Sequence, residues 1–239
     1  MKRFRERNAN KLMNILKTNY GQEVKRKFFV HDYQELNNII NEFINVFDNN
    51  FEQYNNNLYS NLRTLHIVIN RTKNNEYEGE YNEYENTIYI SIPSSEEYQV
   101  NSQVRDTLFH ELLHVASTNV NKKYSGFDHQ VNITGTKKIG RGINEGYTEY
   151  LLLKYFTPNH TYNYYNEEVR ITKELEKIIG KEKMIDYYFT GNLYKLIKDL
   201  SKNNEYSQII DLIKDIDYLA LRDKEKVLDK VKKRGNKSW

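Results

Sequence analysis

Apolar side chains recur at helical spacing between residues 33 and 51. They occupy seven positions at intervals of one, three or four residues: Leu36, Ile39, Ile40, Phe43, Ile44, Phe47 and Phe51. Because an α-helix completes a turn in about 3.6 residues, these positions share one face, and we predict an amphipathic helix. A shorter helix is predicted around residues 11–17, and the asparagines at 49–50 and 55–57 predict a break in the helical pattern.

Two strand patterns follow this helix. Residues 65–69 (Leu-His-Ile-Val-Ile) and 87–92 (Thr-Ile-Tyr-Ile-Ser-Ile) are short runs rich in β-branched side chains, and Pro93 ends the second. Between them, residues 70–75 are typical of a turn, whereas residues 76–84 alternate acidic side chains with tyrosines and predict an exposed strand or hairpin. A small β region is therefore predicted in the first half of the chain.

A further helix is predicted between a cap at Ser94 or Ser95 and about residue 118. Its apolar stripe consists of four residues: Val104, Leu108, Leu112 and Val115. The segment of residues 124–142 contains four glycines and little periodicity, which predicts a loop.

The remainder of the chain has a mostly helical pattern. One helix is predicted over residues 143–156, and further apolar stripes recur from about residue 167. These elements predict an α+β protein in which a small twisted sheet and two helices form a core at residues 61–160. Mostly helical additions are expected at residues 1–60 and 161–239.

The candidate chemistry lies in the helix predicted before residue 118, where His110, Glu111 and His114 form the pattern HELLH. Residues four apart on an α-helix are about 40° apart around its axis, so both imidazoles can bind one metal ion. Glu111 is about 100° from His110 and about 60° from His114, where it can accept a proton from a metal-bound water. The alternative is a pair of buried histidines that only form hydrogen bonds.

A zinc ion needs a third protein ligand if one position is left for water. Residues 142–151 read Gly-Ile-Asn-Glu-Gly-Tyr-Thr-Glu-Tyr-Leu and offer Glu145, with Glu149 one turn later on the same helix face. An ordinary solvated helix face is the alternative interpretation of this pair.

With these residues, the chain resembles the gluzincin class of zinc peptidases, which includes the thermolysin-like and aminopeptidase-like families. The resemblance covers about residues 62–156 and implies a zincin-like core. It implies that Glu145, preceded by Asn144, is the third zinc ligand. It also implies that Glu149 accepts a hydrogen bond from a ligand histidine, with His110 as the expected donor.

The match to this class has departures that leave other ligand sets open. The thermolysin-like pattern has Asp at the position of Glu149, so exchanged roles for Glu149 and Glu145 remain an alternative. His129 is a further candidate ligand. The metzincin pattern is absent, since it requires Gly at the position of Ser117 and His at that of Val120.

The resemblance further implies an edge strand beside the active-site cleft, just before the metal helix. Residues 86–92 occupy that place in the sequence, and a free strand edge there would pair with an extended peptide through backbone hydrogen bonds. An ordinary core strand is the alternative.

The same resemblance implies peptide hydrolysis by a zinc-activated water, with Glu111 as the general base. In gluzincins a His or Tyr downstream of the ligand glutamate stabilises the oxyanion. His160 and Tyr162 are candidates for this catalytic role, and so are Tyr164 and Tyr165, because the sequence does not choose among them.

Composition narrows the classes of function. The chain has 36 basic and 33 acidic residues, a balance that does not favour a nucleic-acid-binding protein. It has no cysteine, which excludes disulfides and thiolate ligands and leaves His and carboxylate side chains to bind a metal. Neither a signal-peptide pattern nor an apolar stretch of about 20 residues is present, which predicts a cytoplasmic protein without membrane association.

We therefore expect a cytoplasmic zinc peptidase with a single Zn²⁺ per chain and a peptide or protein substrate as its partner. A non-catalytic zincin-fold interaction or regulatory protein is the first alternative, although it would have no use for a general base at Glu111. The second alternative is a nucleic-acid-associated factor that uses the basic ends of the chain and binds in a salt-dependent manner.

Overall fold

The computed structural model describes residues 30–72, 78–93, 102–119, 124–130, 138–158, 165–202 and 205–235. They belong to two compact units, Met1–Ala116 and Ser117–Trp239. Each unit contains helices and short strands, which confirms the predicted α+β class. The helix predicted around residues 11–17 lies outside the described residues.

The first unit begins with helix α1, Val30–Phe51, which confirms the helix predicted from the apolar repeat. All seven positions of that repeat are buried. A 3₁₀ turn at Glu52–Tyr54 leads into helix α2, Asn55–Leu62. The prediction that the asparagines at 49–50 and 55–57 interrupt helical structure is therefore wrong, because the first pair lies in the last turn of α1 and the second group in the first turn of α2. The interruption lies between them, at the 3₁₀ turn.

Three strands form the sheet of the first unit: β1, His66–Thr72; β2, Glu78–Asn82; and β3, Thr87–Pro93. Their order is β1-β3-β2, with β3 parallel to β1 and antiparallel to β2. The prediction of an edge strand at residues 86–92 is wrong, because β3 is paired on both sides. Among the described strands, β1 and β2 are the edges of this sheet.

Helix α3, Ser102–Ser117, carries the HELLH pattern. The four residues of its predicted apolar stripe are fully buried. Phe109 of α3 packs against Phe43 of α1 with ring centroids 5.7 Å apart, so the aromatic face of α1 forms part of the core around α3. The caps predicted at Ser94 or Ser95 lie outside the described residues.

The second unit begins with two small antiparallel ladders. Strand β4, Thr118–Asn119, pairs with β5, Tyr124–Ser125, and strand β6, His129–Gln130, pairs with β7, Lys138–Ile139. The segment of residues 124–142 is thus not simply the predicted loop. Strands of two residues are too short to give the alternating pattern by which a strand is recognised in a sequence.

Helix α4 spans Arg141–Leu151 and continues into one turn of π-helix at Leu152–Phe156. The predicted helix at residues 143–156 is confirmed, although it starts two residues earlier and changes geometry in its last turn. Helix α4 packs against helix α5, Asn166–Ile179.

The rest of the second unit is helical, as predicted. Its helices are α6, Lys181–Phe189; α7, Leu193–Leu200; α8, Tyr206–Asp217; and α9, Lys224–Gly235, with a 3₁₀ turn at Leu219–Leu221. Within the part of the chain that the structure describes, no helix has both the length and the apolar character needed to cross a bilayer.

Candidate metal centre

His110 and His114 lie on consecutive turns of α3, and both side chains are buried. Their Nε2 atoms are 3.1 Å apart. Two nitrogens that bind a tetrahedral zinc ion at about 2.0–2.1 Å lie about 3.3 Å from each other, so the observed separation is close to that of a ligand pair. The spacing of four residues on an α-helix accounts for this convergence.

Glu145 supplies a carboxylate to the same group. It is half-buried on α4, and one ligand atom from each of the three residues lies within 4.8 Å of the others. Among the described residues, the group formed by His110, His114 and Glu145 could hold a metal ion. Two imidazoles and one carboxylate fit a tetrahedral zinc ion with one position open for water or substrate.

Glu111 is next to the first histidine and is only 5% exposed. Its side chain lies against strand β2 at Gly79, where the space that a Cβ atom would fill is 2.6 Å from the Oε1 atom of Glu111. The carboxylate is therefore held between its own helix and the backbone of the neighbouring strand.

Two asparagines of α2 hold the C-terminal end of α3. The Nδ2 atom of Asn61 donates a hydrogen bond to the carbonyl of Val115 at 2.7 Å, and that of Asn57 donates to the carbonyl of Ala116 at 2.5 Å. The last carbonyls of a helix have no partner within the helix, so these amides satisfy groups that would otherwise need water. Neither role follows from a local sequence pattern, since the partners of Asn61 and Asn57 lie 54 and 59 positions away.

One aspartate of α8 holds the start of α4. Gly140, which precedes α4, has a φ of +91°, a backbone conformation that favours glycine. The backbone amides of Gly140 and Gly142 each donate a hydrogen bond of 2.9 Å to a different oxygen of Asp217. Burial raises the pKa of Asp217, although both amide hydrogen bonds favour its ionised form. Asp217 was also missed in the sequence, where it lies more than 70 residues from its partners.

Asn144 and Glu149 are both buried on α4. The Oδ1 atom of Asn144 accepts a hydrogen bond from the backbone amide of Phe127 at 3.0 Å. This bond uses the Asn144 side chain to hold the turn before β6. The hydrogen bond expected between Glu149 and His110 stays a prediction.

The other candidate residues do not join the metal group within the described residues. The Nε2 atom of His129 lies 3.2 Å from the carbonyl oxygen of Gly126, and its ring stacks on that of Tyr124 with centroids 4.4 Å apart. The metal group contains Glu145 and does not include His129. For the oxyanion, His160, Tyr162 and Tyr164 lie outside the described residues, and Tyr165 is half-buried just before α5.

Comparisons of this chain with models of protein families, with curated proteins and with solved structures find no match. The resemblance to gluzincins therefore depends on the residue patterns of HELLH and NEGYTE and on the geometry of the three candidate ligands.

Proposed function

We propose that this protein is a zinc-dependent metallopeptidase of the gluzincin type. The observation that carries the proposal is the convergence of His110, His114 and Glu145, whose ligand atoms lie within 4.8 Å of one another. The zincin-like character of the core, the identity of the metal and the peptidase activity all belong to this proposal.

The donor set supports zinc as the metal. Imidazole nitrogens and a carboxylate oxygen are ligands that catalytic zinc sites use, and three protein ligands leave one position for the reaction. The separation of 3.1 Å between the two Nε2 atoms fits two imidazoles that share a cation, and it equally fits a hydrogen bond between one protonated and one unprotonated nitrogen. The carboxylate of Glu145 in the same group is what favours the cation.

Glu111 supports an enzyme over a non-catalytic metal scaffold. When bound, zinc would polarise the scissile carbonyl and lower the pKa of the attacking water to about 7. Glu111 would accept the proton from that water and then donate it to the leaving amine. A protein that only bound zinc would need no buried carboxylate directly beside the first ligand.

Strand β2 supports a peptide as the substrate. It is an edge of the described sheet, and its residue Gly79 lies directly against Glu111. An extended peptide could add to a strand edge through backbone hydrogen bonds. We therefore transfer the substrate-binding role from residues 86–92 to Glu78–Asn82.

The zinc content per chain, measured by elemental mass spectrometry after loading and desalting, tests the metal centre. We expect about one zinc ion per wild-type chain and a clear loss in Glu145→Ala, because two imidazoles alone bind zinc weakly. Glu182→Ala, at an exposed position on α6, is the matched control and should keep its zinc. Peptide mixtures analysed by mass spectrometry then test for new termini produced by the wild type.

Two results would change or remove the proposal. Full zinc content in Glu145→Ala would assign the third ligand to Glu149 or His129. A folded wild type that takes up no zinc when the metal is supplied would overturn the metal centre and the peptidase activity with it.

A further inference from the structure

Gly79 stands in the interior of strand β2, opposite Ile90 of β3. Glycine weakens a strand interior, since it contributes no side chain to packing and loses more conformational freedom on folding. Its φ is not positive, so the backbone conformation does not require glycine at this position. The reason for glycine must therefore lie in the space around it.

That space is filled by one face of α3. A Cβ atom at Gly79 would lie 2.6 Å from the Oε1 atom and 3.0 Å from the Cγ atom of Glu111. It would also lie 2.6 Å from the Cγ2 atom of Thr107, one helical turn earlier. Contacts this short cannot persist, so any other residue at position 79 must displace the strand or the side chains of α3.

The three contacting atoms differ in how easily they move. The Thr107 side chain is β-branched and stiff about its first torsion angle. The Glu111 side chain is longer and ends in the carboxylate that the proposed reaction uses. A side chain at position 79 would therefore move the Glu111 carboxylate first.

We propose that Gly79 is a positioning residue. Because it has no side chain, it leaves the space in which the carboxylate of Glu111 adopts its position. This inference rests on the proposed function, in which Glu111 is the general base. Misplacement of a reacting group by about 1 Å can cost on the order of 10²-fold in rate. Gly79→Ala should therefore lower kcat by about 10- to 100-fold at unchanged zinc content. KM should stay near the wild-type value, because the carboxylate moves and the strand that is proposed to bind the peptide does not.

A double-mutant cycle of thermal stability tests the contact without any assay of activity. Gly79→Ala should lower the Tm of the wild type by about 2–10 °C, as overpacking does in a protein of this size. In the Glu111→Ala background, which removes two of the three contacting atoms and leaves that of Thr107, the same substitution should lower the Tm less. If Gly79→Ala does not fold alone but folds with Glu111→Ala, the coupling is shown directly.

Kinetics then separate positioning of the base from general packing. Thr107→Ser removes the other contacting atom, so Gly79→Ala combined with Thr107→Ser should keep the reduced kcat if Glu111 is the residue displaced.

Additive effects on Tm, a wild-type kcat in Gly79→Ala, or a raised KM with an unchanged kcat would overturn the inference. So would full recovery of kcat by Thr107→Ser, since the displaced group would then be Thr107. Failure of the proposed function has a different sign, because the wild type itself would then bind no zinc.

Discussion

Helix α3 is anchored at its C-terminal end and helix α4 at its N-terminal end, in each case by side chains from a distant part of the chain. The carbonyls at the end of α3 receive hydrogen bonds from the amides of Asn57 and Asn61. The amides at the start of α4 donate hydrogen bonds to the carboxylate of Asp217. The polarity of the helix thus decides the chemistry of its anchor, because free carbonyls need donors and free amides need acceptors.

The two helices also differ in what they contribute to the proposed centre. Helix α3 carries two candidate ligands and the candidate base, whereas α4 carries one candidate ligand. Substitutions in α3 can therefore separate metal binding from catalysis, and substitutions at Glu145 of α4 cannot.

The largest effect is expected for Glu111→Gln. This substitution keeps the size of the side chain and removes the proton acceptor, so turnover should fall by about 10²- to 10⁴-fold. Zinc content should not change, since Glu111 is not in the ligand set. Peptide cleavage and zinc content measured on the same preparation check both statements, with Glu182→Gln as the surface control. Retained cleavage in Glu111→Gln would remove the proposed role of α3 in catalysis.

Asn61→Asp should produce the larger of the two anchor effects. Asn61 is buried, and a carboxylate there would face the carbonyl of Val115 at the negative end of the helix dipole. We expect the free energy of unfolding in urea to fall by about 3 kcal/mol at pH 7.

The exposed Asn50 provides the matched control for this substitution. Its Nδ2 atom also donates to a helix carbonyl, that of Val46, at 2.8 Å. Water can replace this hydrogen bond, so Asn50→Asp should cost less than about 1 kcal/mol. Equal losses of unfolding free energy in Asn50→Asp and Asn61→Asp would show that the burial of Asn61 does not add to the stability of the α3 anchor.

Asp217→Asn replaces a carboxylate by an amide at the start of α4, the reverse of the exchange in Asn61→Asp. The new amide offers one acceptor in place of two, so one of the amides of Gly140 and Gly142 loses its partner. We expect a loss of about 2 kcal/mol in the free energy of unfolding. Zinc affinity, measured by competition with a chelator, should also fall because Glu145 lies close after the loosened end.

The exposed Asp223 is the control for this second anchor. Its Oδ1 atom accepts a hydrogen bond of 3.1 Å from the backbone amide of Lys226 at the start of α9. Asp223→Asn should cost only a few tenths of a kcal/mol, since Asn is as good a cap as Asp at an exposed helix start. A loss at Asp217 no larger than this would show that α4 is held by other contacts.

The sequence predicted those features that depend on spacing within one segment. The helix of α1 follows from its apolar repeat, and the placement of His110, His114 and Glu145 on helices follows from local patterns. In each case, the relevant side chains lie within a few turns of one another. Local spacing and helical geometry were sufficient for these predictions.

Several of the features that the sequence did not predict depend on pairing between distant segments. Whether residues 87–92 form an edge or a central strand is decided by β1 and β2, not by the composition of the strand itself. The roles of Asn61 and Asp217 depend on partners more than 50 residues away. The need for glycine at position 79 is a similar case. It results from the close approach of α3, which no local sequence pattern indicates.

Hydrogen bonds between side chains connect α4 to α5. Removal of one of them should have the smallest effect on the free energy of unfolding at neutral pH. The hydroxyl of Tyr147 on α4 donates a hydrogen bond of 2.7 Å to Glu176 of α5, which also accepts one from Tyr150. Tyr147→Phe removes the first of these two donors and leaves the hydroxyl of Tyr150. The free energy of unfolding at pH 7 should therefore fall by only about 1 kcal/mol.

The effect of Tyr147→Phe should change with pH in a defined direction. Burial, followed by the hydrogen bond to Glu176, raises the pKa of Tyr147 far above the ordinary value of about 10. Above pH 10 the unfolded chain loses this proton and the folded protein keeps it. The contribution of Tyr147 is then present below about pH 10 and declines above it, by about 1.4 kcal/mol per pH unit.

Urea unfolding at pH 7, 9, 10 and 11 measures this decline. The wild type should lose stability more steeply than Tyr147→Phe above pH 10, so the difference between the two proteins should shrink and then reverse. Tyr194→Phe, at a position that is 66% exposed, should follow the wild type at every pH. Parallel curves for the wild type and Tyr147→Phe would mean that the contact between α4 and α5 opens to water before the protein unfolds. The hydrogen bonds to Asp217 at the N-terminal end of α4 would then be the firmer anchor.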